Sequence, residues 1–123
     1  MHEIIPNLFI SNNLIEPKKG EIDHIISLGL NLKKIPGILE TFVPINNIDI
    51  GLDFALPIIN DLLSKNKKIL ILSKEGANLC TTFTFIYLCK YRKMSINDAK
   101  KLLNHNINET IKNYLKNDID EFL

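Results

Sequence analysis

The sequence has no tryptophan, two cysteines, three histidines and a single arginine, Arg92, among its 123 residues. Each scarcity excludes something. Cys80 and Cys89 fall in what reads as one helix, about 13 Å apart along its axis at ~1.5 Å per residue. A disulfide needs Cα atoms within ~7 Å, so the two do not pair with each other. That cysteine usage fits a reducing, intracellular compartment, cytoplasmic or nuclear. His2, His24 and His105 are scattered, and no Cys, His, Asp and Glu set has metal-ligand spacing, so neither a metal nor another cofactor is expected. Lys and Arg number 15 against 14 Asp and Glu, a formal charge of +1. That balance removes the electrostatic case for DNA, RNA or an anionic membrane as the main partner. No apolar run approaches the ~20 residues of a membrane span. Residues 1–6, Met-His-Glu-Ile-Ile-Pro, lack the basic start and apolar core of a secretory signal.

What is present is 46% hydrophobic residues spread over the whole length. The expectation is one domain, 1–123, large enough to bury a core unaided. Residues 3–11, EIIPNLFIS, read as a strand with a proline near its start. Residues 24–28, HIISL, read as a second strand ended by Gly29, and 33–37 as loop. Residues 42–46, FVPIN, read as a short strand in which Pro44 suits an edge or irregular position. A helix is expected within 52–64, with Pro57 opening or kinking it. ILIL at 69–72 is an unbroken apolar run, the pattern of a strand buried on both faces of a mostly parallel sheet. LCTTFTFIYLCKY at 79–91 is apolar all round, as a central buried helix would be. Ser95 followed by Asp98 resembles a capping box for the next helix, whose apolar face is Ile96, Ala99, Leu102 and Leu103. Asn108 can cap a last helix with Ile111, Tyr114, Leu115, Ile119 and Phe122 facing inward. Strands first, then strand–loop–helix, then helices: the class is α/β, a central mostly parallel sheet of four to five strands flanked by helices.

The segment Ser73-Lys74-Glu75-Gly76-Ala77-Asn78-Leu79 joins the buried strand to the buried helix. Backbone N–H groups in such a loop, with the positive end of the helix, make a natural anion site. The loop has one glycine and no Gly-Lys-Ser/Thr, which sets aside a nucleotide phosphate loop.

At this loop the chain resembles the cysteine-based dual-specificity phosphatases of the protein tyrosine phosphatase superfamily. Their loop reads His-Cys-x-x-Gly-x-x-Arg-Ser/Thr. With Gly76 on the family glycine, Leu72 stands at the histidine, Ser73 at the cysteine, Leu79 at the arginine and Cys80 at the Ser/Thr. The resemblance covers nearly the whole chain. EIIPNLFIS, HIISLG and FVPINN are similar to the family's first three strands, and TFIYLCKYRKMSINDAKKLL to the helix pair after the loop. The family's general acid follows its Pro-Ile-x pattern, which here is Pro44-Ile45-Asn46, so Asn47 takes that position.

The resemblance implies a mechanism in which a thiolate attacks phosphorus, an arginine holds two phosphate oxygens and an acid protonates the leaving oxygen. Ser73 is nearly isosteric with cysteine but far harder to ionise, Leu79 carries no donor, and asparagine supplies no proton. Asp49 as a displaced acid is outweighed by its reading as a helix cap. Cys80 and Cys89 read as core residues. The expectation is therefore a catalytically inactive phosphatase-like protein, a pseudophosphatase, that acts by binding a protein partner, with the shielding or scaffolding of a phosphoprotein in signalling among its roles. Homodimers occur in the family. The alternatives are a hydrolase with a displaced nucleophile, Ser73 or Cys80, and a purely structural interaction module.

Overall fold

The computed structural model describes residues 1–12, 15–74, 78–116 and 118. The chain divides into two compact units, Met1–Cys80 and Thr81–Leu123. The first holds β1 (His2–Ile5), β2 (Leu8–Ser11), β3 (His24–Leu28), β4 (Leu39–Val43), α1 (Ile48–Ser64) and β5 (Ile69–Ser73). The remaining helices are α2 (Leu79–Tyr91), α3 (Ile96–Leu103) and α4 (Glu109–Leu115).

The strands form one mixed sheet in the order β1-β2-β5-β3-β4. β2, β5, β3 and β4 run parallel, and only β1 is antiparallel. β5 is central and every one of its residues is buried, as the unbroken ILIL run requires. One sheet face presents Leu8, Ile26, Leu28, Val43, Ile69 and Ile71, all fully buried or nearly so. α1 packs against β4 and β5 with Leu52, Ala55, Leu56, Ile59 and Leu63 on its buried stripe. The opposite face presents Ile25, Leu70 and Leu72, which cluster with Ile22 and Ile38. Irregular chain supplies the surrounding apolar side chains there, among them Ile15, Leu32 and Ile35.

Four expectations are corrected. Residues 3–11 are two strands, because Pro6-Asn7 is a turn: proline presets one φ and Asn7 takes a left-handed φ of 72°. The third expected strand lies three residues earlier, at Leu39–Val43, which leaves Pro44 just beyond the edge strand. α1 starts at Ile48, ahead of the expected range, and runs through Pro57, so the proline does not open it. Leu102 is exposed rather than core. By contrast, β3 spans the expected 24–28 and ends at Gly29, whose φ is 71°. A Cβ on Gly29 would sit 2.6 Å from Ile45 Cδ1, so the turn needs glycine twice over.

In the second unit, residues 82–89 of α2 are all buried. Ser95 caps α3 by accepting the N–H of Asp98, and Asn108 caps α4 by accepting that of Ile111. The Asn108 amide also donates to Thr82 Oγ1 at 3.0 Å, which ties α4 to α2. Tyr87 and Tyr91 stack with ring centroids 5.5 Å apart, and Lys90 lies 4.9 Å over the Tyr114 ring. The three tyrosines are thus packing residues, as expected. Ile119 and Phe122 lie outside the described residues.

Candidate functional site

Leu28 is in register with both Ser73 and Val43. The chain leaving β5 at Ser73 and the chain leaving β4 at Val43 therefore emerge at one end of the sheet, the carboxyl end. Ligand crevices of open α/β sheets form at that end. The fold thus brings Ser73 and the segment leading to Asn47 to the same edge.

Ser73 is 0% exposed. Its Oγ accepts the backbone N–H of Cys80 at 3.1 Å. The first N–H groups of a helix have no partner within the helix, and this hydroxyl satisfies one of them for α2. Leu72 points to the opposite face and is part of the Ile22, Ile25, Ile38 and Leu70 cluster. A strand alternates its side chains, so neighbouring positions serve the core and the loop separately.

Asn47 is the N-cap of α1, with a β-region backbone at φ −128° and ψ 108°. Its Oδ1 accepts the N–H of Ile50 at 3.1 Å, and its carbonyl accepts that of Gly51 at 3.0 Å. Asp49, expected as the cap, instead lies in the first turn, where its charge complements the helix dipole. Helix α1 begins four residues earlier than expected, which moves the cap to Asn47. An asparagine followed two residues on by an aspartate is the signal in the sequence that could have placed it.

Leu79 opens α2 and is half-buried. Lys74 and Asn78 are exposed. Glu75, Gly76 and Ala77 lie outside the described residues, so the loop is seen only at its two ends. The lone arginine is no replacement clamp. Arg92 follows the far end of α2, about 20 Å from Leu79 along the axis. There its Nε donates to the Tyr87 hydroxyl at 3.1 Å. Cys80 is 2% exposed and Cys89 is also buried; neither is in a disulfide.

His24 is too far along its strand to serve Ser73 as a base. His24 opens β3, four residues before Leu28 and so about 13 Å from it. Its Nε2 and Thr41 Oγ1 are 2.7 Å apart, and burial lowers its pKa. Burial also lowers the pKa of His105, whose Nε2 has no hydrogen-bond partner among the described residues. Among those residues no group of three or more His, Cys, Asp or Glu could hold a metal ion, and no helix is long and apolar enough to cross a membrane.

In sequence the chain matches no protein-family model and no curated protein. Solved structures do match it. A mouse protein assigned as a dual specificity phosphatase, complexed with zinc tungstate, has a TM-score of 0.75 at 17% identity, covering 94% of this chain and 83% of its own. Human DUSP28 has a TM-score of 0.74 at 15% identity, covering 95% of this chain and 94% of its own. A human tyrosine phosphatase-like serine/threonine/tyrosine-interacting protein has a TM-score of 0.58 at 19% identity, over 80% of this chain and 76% of its own. At these identities the likeness is one of fold, and the chain has the fold of the dual-specificity protein phosphatases.

Proposed function

We propose that this chain is a pseudophosphatase, a catalytically inactive protein on the dual-specificity phosphatase fold that acts by binding protein. The observation that carries the reading is what the nucleophile and acid positions do instead. The Ser73 hydroxyl accepts the α2 N–H of Cys80, and the Asn47 side chain accepts the α1 N–H of Ile50. Asn47 is the N-cap of α1, and the Ser73 hydroxyl satisfies a first-turn N–H of α2. A serine in that place needs a base to become a nucleophile, and Asn47 offers no proton. The Leu79 side chain offers neither charge nor donor to a phosphoryl group. Losing one such group costs orders of magnitude, and residues that act as a unit are not additive. Cys80, the cysteine next to the loop, is buried and is disfavoured as a displaced nucleophile.

The partner that fits this reading is a phosphoprotein whose phosphorylated segment is shielded or held rather than cleaved, as in a signalling scaffold. The N-terminal end of α2 is where an oxyanion would sit. Tungstate, a tetrahedral oxyanion present with the mouse relative, is the natural probe. Titration with tungstate and with a phosphotyrosine peptide, phosphate release being followed in the same samples, tests the reading. Binding of the phosphopeptide without phosphate release supports it. Phosphate release that scales with protein concentration overturns it.

A further inference from the structure

The sheet has two edges, and they differ. β1 is interrupted by a register shift between Glu3 and Ile5, the kind of irregularity that blunts an edge. β4 pairs with β3 in unbroken register over all five residues. The Leu39 N–H donates to the Asp23 carbonyl, and the Val43 carbonyl accepts the Gly29 N–H. In a parallel pair these bonds alternate by residue, so Leu39, Thr41 and Val43 address β3. The N–H and C=O groups of Glu40 and Phe42 then point away from the sheet. The next outward position is Pro44, which has no N–H and ends the edge.

The edge is also apolar. Leu39 is 71% exposed and Phe42 is 43% exposed. Phe42 shares its face with Glu40, Ile25 and the Ile38 cluster. On that face, beside the first half of β4, lies a hollow of about 350 Å³ lined by Ile25, Leu32, Lys34, Ile35, Ile38 and Glu40. The strand therefore carries an aromatic knob at one end and an apolar hollow at the other.

We infer that β4 pairs antiparallel with β4 of a second copy about a two-fold axis through Thr41. This register sets Glu40 opposite Phe42 of the other copy, and it uses all four outward N–H groups of the two strands. Centring on Glu40 would lose bonds, because the Ile38 N–H already donates to Ile35. The same register lays each Phe42 beside the other copy's hollow. Bonds and side chains thus choose one arrangement independently, and it is an isologous interface. The two Glu40 carboxylates fall on a diagonal of ~7–8 Å, which opposes the pairing. With so small a contact the dimer is concentration-dependent rather than obligate. The pairing is independent of whether the Ser73 loop hydrolyses anything.

Sedimentation velocity on the full chain from roughly 5 to 500 μM, the range of a weak complex, is the test. The wild-type sedimentation coefficient should rise with concentration. Phe42→Pro removes an outward N–H and leaves the β3 bonds intact, so it should stay monomeric with a native circular dichroism spectrum. Phe42→Ala should raise Kd about thirtyfold, since two half-exposed rings lose their burial. Glu40→Gln should lower Kd about threefold by removing the diagonal repulsion. If Phe42→Pro fails to fold, the other two variants decide. A wild type that stays monomeric throughout, or a dimer indifferent to Phe42 and Glu40, overturns the inference.

Discussion

Replacing Ser73 with alanine removes one oxygen from a position that is 0% exposed and is the acceptor for the Cys80 N–H. The Cys80 N–H, buried at the start of α2, loses that acceptor. Taking an acceptor away from a buried donor costs about 1–3 kcal/mol. About 1.5 kcal/mol is the expected loss. At ~2.1 cal/mol/K per residue, unfolding 123 residues carries about 0.26 kcal/mol/K, so Tm should fall by about 6 °C. Differential scanning calorimetry, with urea unfolding alongside, reads this directly. The sign matters more than the size. A side chain held in place for chemistry is commonly neutral or stabilising to remove, because active sites give up stability for function. A residue that holds a helix N–H is destabilising to remove. An unchanged or raised Tm for Ser73→Ala would refute the structural role of Ser73 and return it to the list of candidate nucleophiles.

Asn47→Ala should destabilise by about 1 kcal/mol in urea, whereas Asn47→Asp should stay within a few tenths because it caps equally well, and neither should release phosphate. Gly29→Ala should cost about 2 kcal/mol through its left-handed φ and its contact with Ile45, and Gly29→Ala with Ile45→Ala should recover the steric share in a double-mutant cycle. The folded chain holds the pKa values of His24 and His105 below 6.5, so as pH falls past 6.5 the unfolded chain takes up protons that the folded chain refuses. Tm should therefore be flat above about pH 7.5 and decline through the acid side of 6.5, with a shallower decline in His24→Asn and His105→Asn. A Tm that rises on acidification through this window would contradict the burial of both rings.

The sequence made β3, β5, α2 and the caps of α3 and α4 legible because each carries a signal that tertiary context does not override. The β5 run is apolar without interruption, α2 is apolar all round, and Ser95 and Asn108 are good caps ahead of amphipathic turns. The N-terminal hairpin was missed because apolar residues flank Pro6-Asn7 on both sides and mask the turn. β4 was displaced because Glu40 and exposed Leu39 lack strand-like patterning. An edge strand has one neighbour, and its outer side chains need not be apolar. At the candidate site, residue types could be assigned through the resemblance to the phosphatase loop, which sets Ser73, Leu79 and Asn47 at positions counted from Gly76 and Pro44. What those side chains do could not. That the Ser73 hydroxyl meets the Cys80 N–H depends on how β5 enters α2, and that Asn47 caps α1 depends on where the helix starts. The apolar hollow beside β4 is likewise absent from any linear pattern, because Ile25, Leu32, Ile35 and Ile38 come together only when the segment before β4 folds across the sheet.

The central claim is that the Ser73 loop performs no phosphoryl chemistry. The measurement closest to it is phosphate release from an aryl phosphate and from a phosphotyrosine peptide, by wild-type protein and by Ser73→Ala at matched high concentration. Release no faster than buffer is expected for both proteins. Release by the wild type that is lost in Ser73→Ala would contradict it and establish a serine-based phosphatase on this fold.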